Sequence, residues 1–280
     1  MLVFKASEKL KMHLNSKAQK IGLVPTMGGL HRGHSTLIKK ACCDNDVVVV
    51  SIYVNPTQFN DLNDLKKYPF DITSDKSFLS QFSKNVIIYN PGHDEMYPSG
   101  IKSKSYDFGS IALHMEGKFR PGHFNGVATV IEKLFKEIRP NNAYFGEKDY
   151  QQIQIIKALN RSLNLDVKII SCPTEREDDG LAISTRNKFL NSRQRSAAKK
   201  IYYALQELKV KKTKKFDVMK GFFINTVEHS EDLKVEYFYI ASIDNLIPVE
   251  KFHKQKKYRI FIAVLAGNTR LIDNEEIKFN

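Results

Sequence analysis

The sequence predicts an α/β protein in which a doubly wound parallel sheet is followed by a smaller α+β domain. Two observations carry this. Between residues 21 and 170, short apolar or β-branched runs alternate with stretches of helical period, the pattern of a parallel sheet with helices on both faces. Turn residues then thin out: twelve of the 14 Gly lie at or before Gly180, and eight of the nine Pro at or before Pro173. The domain boundary is therefore expected there, with residues 1–174 in the sheet domain and 175–280 in the smaller one.

Taken in order, 21–24 reads as a short buried strand ending at Pro25, and 33–44 as a helix. The run 47–54 is rich in Val and Ile, as in a central parallel strand. A helix over 74–83 and a strand over 86–89 follow. An amphipathic helix spans 123–138 and is stopped by Arg139-Pro140. Then come a strand at 143–145, a helix at 151–163 and a strand at 167–170. The C-terminal part reads as helices at 192–208 and 217–228, then strands near 235–241 and 258–266. There is no internal repeat.

Composition narrows the function classes. With 42% apolar and 27% charged residues over 280 positions, the chain has ordinary globular usage and needs no disulfide or metal staple. Its longest apolar run lies within 47–54, far short of the roughly 18 residues of a membrane span. The opening MLVFKASEKLK lacks the pattern of a secretory signal. Cys42, Cys43 and Cys172 form no CxxC, which argues against structural zinc and for reduced thiols in a cytoplasmic protein. The net charge of +13 favours anionic partners. Of the 44 cationic residues 34 are Lys, however, and a Lys excess fits a solvated surface better than a reader of bases. The cluster KVKKTKK, 209–215, is expected to be a solvated loop between two helices, with an anion-binding role as the alternative.

The strongest motif is PTMGGLHRGH, Pro25 to His34, which follows the first strand and opens a helix. Its glycines let the backbone approach a ligand closely. The helix N-terminus favours anions, and His31 and His34 add two imidazoles for a polyphosphate. Neither a Walker P-loop nor GxGxxG occurs. Asn55-Pro56-Thr57-Gln58-Phe59 ends the next strand and presents neutral amides, which both donate and accept. Phe145-Gly146-Glu147-Lys148-Asp149 follows a third strand; Gly146 permits close approach, Lys148 supplies a point charge for phosphate, and Asp149 suits ribose hydroxyls. In Ile183-Ser184-Thr185-Arg186-Asn187, a hydroxyl and a guanidinium suit phosphate oxygens.

An HxGH after a strand resembles the nucleotidyltransferase superfamily that includes the class I aminoacyl-tRNA synthetases. Eight motifs in order narrow this: VPTMGGLHRGH, VVVVSIYVNPTQF, KYP, MYPSG, MEGKFRPGHFNGVATVIEKLF, FGEKDYQQ, DGLAISTRN and RLIDN, from Val24 to Asn274, resemble the pantoate–β-alanine ligase family. The resemblance implies a Rossmann-like domain with a C-terminal lid in a cytoplasmic homodimer, and an ATP-dependent ligation through an acyl adenylate with magnesium. It assigns catalysis to His31, His34, Lys148, Ser184 and Arg186. It assigns ATP binding to Met27, Gly28, Gly29, Leu30, His31, Arg32, Gly33, His34, Gly146, Glu147, Lys148, Asp149, Glu175, Ile183, Ser184, Thr185 and Arg186. Pantoate falls to Gln58 and Gln152, and Gln58 borders the β-alanine site. The segment Arg120 to Phe124, with His123, is placed against the pantoate pocket.

Four positions depart from the family pattern. Ile183 and Thr185 keep the chemical class of the Met or Leu and Ser usual there. Phe70 stands where the family commonly has Arg, and Ser74-Asp75 replaces an acidic pair, leaving Asp75 as the expected magnesium ligand. The alternatives are another HxGH nucleotidyltransferase, disfavoured by the paired glutamines and the RPGHF segment, and a basic nucleic-acid-binding protein, disfavoured by the lack of aromatics within KVKKTKK.

Overall fold

A computed structural model describes residues 1–15, 19–82, 84–210, 215–253 and 255–279. The chain forms two compact units. The first comprises Met1–Phe108, Arg120–Glu147 and Gln151–Pro173, and the second Gly109–Phe119, Lys148–Tyr150 and Thr174–Asn280. The second unit thus takes in two short segments from N-terminal to the expected boundary.

The first unit is built on six parallel strands: β1 (Val3–Phe4), β2 (Ile21–Thr26), β3 (Val47–Ile52), β4 (Val86–Tyr89), β5 (Asn142–Gly146) and β6 (Lys168–Cys172). Its helices are α1 (Ser7–Leu14), α2 (Arg32–Asp44), α3 (Ile72–Leu79), α4 (His123–Ile138) and α5 (Tyr150–Ser162), with shorter turns between them. Strand side chains alternate between faces. Leu23, Val47, Val49 and Phe145 pack with α1, α4 and α5, whereas Val24, Val48, Val50 and Tyr144 pack with α2 and α3. Both faces are covered, so β3 is buried at every position.

The strand order is β1-β4-β3-β2-β5-β6. The chain leaves β2 on one side through β3 and β4 and resumes on the other with β5 and β6. The carboxyl ends of β2 and β5 therefore flank a topological switch point, where open α/β sheets bind ligands.

The second unit is an antiparallel sheet, β7 (Leu233–Ser242), β8 (Lys257–Ala266) and β9 (Thr269–Lys278), with α6 (Ser192–Val210) and α7 (Phe216–Glu228) on one face. On the other face, Met115 and Tyr150 pack with Tyr237, Phe261 and Ala263.

The doubly wound sheet and the smaller α+β region agree with the sequence reading. Helix α3 begins two residues earlier than expected because Asp71 caps it, accepting from the Thr73 and Ser74 N–H groups; Ser83, in the expected range, lies outside the described residues. β1, α1 and β9 were not anticipated. Of the cluster 209–215, residues 211–214 lie outside the described residues. No disulfide forms among Cys42, Cys43 and Cys172, and no described helix is long and apolar enough to cross a membrane.

Candidate active site

Beyond β2 the chain turns sharply. Gly28 and Gly29 take φ of +82° and +62°, the left-handed region that glycine enters without strain. At Gly28 a Cβ would also stand 2.8 Å from Asp75 Oδ2 and 3.3 Å from the Phe70 ring. Asp75, on the first turn of α3, is buried and clamps this loop: its two carboxylate oxygens accept the Gly29 and Leu30 N–H groups at 3.0 and 2.7 Å. The expected magnesium ligand thus also clamps the HxGH loop. Both oxygens are directed at the backbone of the HxGH loop, and among the described residues no group of three or more His, Cys, Asp or Glu is arranged to hold a metal ion. Phe70, in place of the family's Arg, lays its ring beside the same loop.

The two histidines then form a capping box at the start of α2. His31 Nδ1 accepts the Gly33 N–H at 3.1 Å, and His34 Nδ1 accepts the His31 N–H at 3.2 Å. A backbone amide only donates, so each Nδ1 is unprotonated and each neutral ring carries its hydrogen on Nε2. The ring centroids are 4.1 Å apart. The loop thus offers two neighbouring imidazole N–H donors at a helix N-terminus.

Beyond β3, Asn55 is 1% exposed and every polar atom of its side chain is used. Oδ1 accepts from the Thr57 N–H, the Thr57 hydroxyl and the Tyr97 hydroxyl, while Nδ2 donates to the Gly126 carbonyl and to Gln58 Oε1 at 3.0 Å. Burial pushes the Tyr97 hydroxyl up, which keeps it a donor. The Thr57 amide and the Gly126 carbonyl fix which end of Asn55 is which, and hence fix Gln58. Its oxygen is engaged by Asn55 and its Nε2 lies 2.9 Å from Met27 Sδ. Gln58 therefore presents N–H groups, suited to a carboxylate or hydroxyl oxygen. Its own carbonyl is gripped by Arg120 Nη2 at 3.0 Å and His123 Nδ1 at 2.9 Å. His123, 6% exposed, thus holds Gln58 through its backbone.

Gly146 ends β5, and Glu147–Asp149 form a single turn before α5. The half-buried Gln152 lies in the first turn of α5. Lys148 Nζ stands 3.7 Å from Asp149 Oδ2.

In the second unit, the Ile183 N–H donates to the Glu175 carbonyl at 3.0 Å and the Glu177 N–H to the Leu181 carbonyl at 2.8 Å, closing a tight loop. Arg176 braces it with bonds to the Gly180 carbonyl and, through both terminal nitrogens, to Asp273. Ser184 Oγ accepts the Arg186 N–H at 3.2 Å and opens the turn Thr185–Phe189. The main chain of Glu175, one of the residues expected to bind ATP, is thus tied by its carbonyl to Ile183.

The model of the family described as Pantoate-beta-alanine ligase matches residues 2–276. The chain belongs to the pantoate–β-alanine ligase family. Its relatives in that family include the pantothenate synthetase of Flavobacterium psychrophilum, 42% identical over 99% of this chain and 100% of that protein, and that of Aquifex aeolicus, 43% identical over 99% of each. The crystal structure of pantothenate synthetase from Thermus thermophilus superposes with a TM-score of 0.91 at 34% identity, covering 99% of this chain and 100% of the other. The pantoate–β-alanine ligase of Francisella tularensis, solved with β,γ-ATP and β-alanine, does so with a TM-score of 0.82 at 40% identity, covering 98% and 97%.

Within this ligase-family chain, the first unit brings Met27, Gln58, Arg120 and His123 into one hydrogen-bonded cluster, and sets His31 and His34 at the end of the loop that Asp75 clamps. Lys148, Glu175, Ile183, Ser184, Thr185 and Arg186 belong to the second unit. Sequence reasoning missed the roles of Asn55 and Gly126. Asn55 stood inside the quoted NPTQF motif, but only its burial reveals that it orients Gln58.

Proposed function

We propose that the chain condenses pantoate with β-alanine at the expense of ATP, through pantoyl adenylate, releasing pyrophosphate and then AMP. The observation that carries this reading is the pair of oriented donor sets on adjacent strands: the Nε2–H groups of His31 and His34 after β2, and the N–H groups of Gln58 after β3. One set suits phosphate oxygens and the other a hydroxy acid.

In the first step a pantoate carboxylate oxygen attacks the α-phosphorus, and the bond to the β-phosphate's bridging oxygen breaks. Negative charge grows on the equatorial oxygens and on the leaving pyrophosphate. His31 and His34 donate hydrogen bonds there, and the main chain of Met27 to His34 lines the nucleotide with its amides. Lys148, Ser184, Thr185 and Arg186 neutralise the pyrophosphate, while Gly146, Glu147, Asp149, Glu175 and Ile183 hold the rest of ATP. Gln58 and Gln152 orient pantoate so that one carboxylate oxygen faces phosphorus.

In the second step the neutral amine of β-alanine, beside Gln58, attacks the acyl carbon. The acyl–oxygen bond breaks, AMP leaves, and the ammonium proton is lost. We take magnesium to enter with the nucleotide as part of the substrate, where it would bridge to phosphate charge. We take the enzyme to be a cytoplasmic homodimer, as the family resemblance implies.

Pyrophosphate release from ATP tests the reading. It should occur with pantoate alone, in an amount matching the enzyme, and turn over continuously once β-alanine is added. Release that requires β-alanine would overturn the two-step order.

A further inference from the structure

The RLIDN run on β9 has no assigned role, yet three of its side chains hold three other segments of the second unit. Arg270 pairs with Glu116 at 2.7 and 2.8 Å, and Asp273 takes both terminal nitrogens of Arg176. Asn274, 4% exposed, reaches the turn that carries Lys148. Its Nδ2 donates to the Lys148 carbonyl at 2.9 Å and its Oδ1 accepts from Arg259 Nη1 at 2.5 Å. A guanidinium only donates and a carbonyl only accepts, so the amide cannot be turned round. The Arg259 guanidinium lies over the Tyr150 ring at 4.0 Å, and that ring packs against Phe261. Residues 148–150 are thus fastened to β8 and β9 at two points, the Lys148 carbonyl and the Tyr150 ring.

We propose that Asn274, itself held by Arg259, is a positioning residue for Lys148 in adenylate formation. It acts through the Lys148 main chain and touches no substrate. The proposal rests on the assignment of Lys148 to the ATP phosphates. A lysine head is a point charge on a flexible four-carbon stem, so its placement is only as good as that of its Cα. The turn Glu147–Asp149 is only three residues long, a short 3-10 piece whose hydrogen-bond geometry is poorer than that of an α-helix.

The test is single-turnover kinetics of each half-reaction in Lys148→Ala, Asn274→Ala, Asn274→Asp and the double variant Lys148→Ala/Asn274→Ala. Asn274→Asp keeps the acceptor for Arg259 and removes the donor to Lys148. Both Asn274 variants should slow adenylate formation about 10–100-fold, the range for misplacing a charged group by up to 1 Å. The attack of β-alanine on supplied adenylate, and KM for pantoate, should change less than about 3-fold, a split that general loosening of the fold does not produce. The double variant should be no slower than Lys148→Ala, because Asn274 acts only through that side chain. Multiplying losses, or a full rate in Asn274→Asp, would overturn the proposal. A full rate in Lys148→Ala would instead overturn the assignment of Lys148, so the two failures are distinguishable. If Asn274→Ala does not fold, Asn274→Ser takes its place with the same expected split.

Discussion

Gly126 lies on α4 where that helix meets the turn bearing Gln58. A Cβ there would stand 2.4 Å from the Thr57 carbonyl oxygen, 2.6 Å from its carbon and 2.8 Å from the Gln58 nitrogen. All three atoms belong to one peptide group, so no side chain can rotate away to relieve the clash. Reaching even 3.0 Å requires a movement of 3.0 − 2.4 = 0.6 Å, and ordinary contact at 3.4 Å requires 3.4 − 2.4 = 1.0 Å. Overpacking of this kind costs about 1–3 kcal/mol, and exchanging a mid-helix Gly for Ala returns about 1 kcal/mol. The net loss of stability in Gly126→Ala should therefore be only about 0–2 kcal/mol. The displacement itself falls on Gln58, whose carboxamide and carbonyl are both fixed to the surrounding frame. Pantoate affinity should drop about 10–100-fold, as expected for a shift approaching 1 Å at a binding group, with ATP affinity changed less than about 3-fold. Titration calorimetry with each ligand, beside a melting curve, separates the two effects. Wild-type pantoate affinity in a folded Gly126→Ala protein would refute the claim that this close approach sets the position of Gln58.

Other perturbations follow from the same geometry. His34→Ala should slow adenylate formation about 10²–10³-fold, the cost of removing one transition-state donor, with the fold retained and stability lowered by about 0.5–2 kcal/mol through the lost capping bond to the His31 N–H; near-normal pyrophosphate release would remove His34 from the chemistry. Asp75→Asn leaves one loop amide facing an N–H group, a penalty of about 1–3 kcal/mol; ATP binding should weaken by about 5–150-fold while half-saturating magnesium stays the same, and a magnesium requirement that rises as steeply would mean that Asp75 also holds the metal. Burial raises the Glu132 carboxyl, but bonds from Lys136, Tyr106 and Lys104 outweigh it and bring it to about 2, below the ordinary 4.5. A depressed folded-state value means that its contribution is complete above pH 4.5 and is lost as pH falls towards 2. Lys104 and Lys136 are more than half exposed, at 60% and 55%, so solvent screening reduces the effect. Glu132→Gln should cost about 0.2–1 kcal/mol at neutral pH, a gap that closes by about pH 2 in denaturant titrations; a gap independent of pH would contradict the assigned network.

The sheet was legible because burial on both faces leaves continuous apolar runs such as 47–52, and glycines and prolines mark where the strands stop. The loops after β2, β3 and β5 were legible as motifs for the same reason. β9 was not. Its Asp273 and Asn274 are buried at consecutive positions, and this polar interruption breaks the alternation by which a half-buried strand is read. They are tolerated there because Arg176, Arg259 and the Lys148 carbonyl satisfy them, partners 15 to 126 residues away in sequence. Asp75 illustrates the same limit. The family resemblance makes Asp75 a magnesium ligand; only the fold reveals that its oxygens meet the Gly29 and Leu30 amides. β1, two residues long, carries no pattern that a sequence could display.

The central claim is that a pantoate oxygen forms a bond to the α-phosphorus of ATP. Pantoate labelled with heavy oxygen in its carboxylate tests this directly, because the label follows the bond that forms. After turnover with ATP and β-alanine, mass spectrometry should find one labelled oxygen in each AMP and none in pyrophosphate. Label in pyrophosphate or inorganic phosphate, with unlabelled AMP, would mean that the carboxylate attacks another phosphorus and that no pantoyl adenylate is formed.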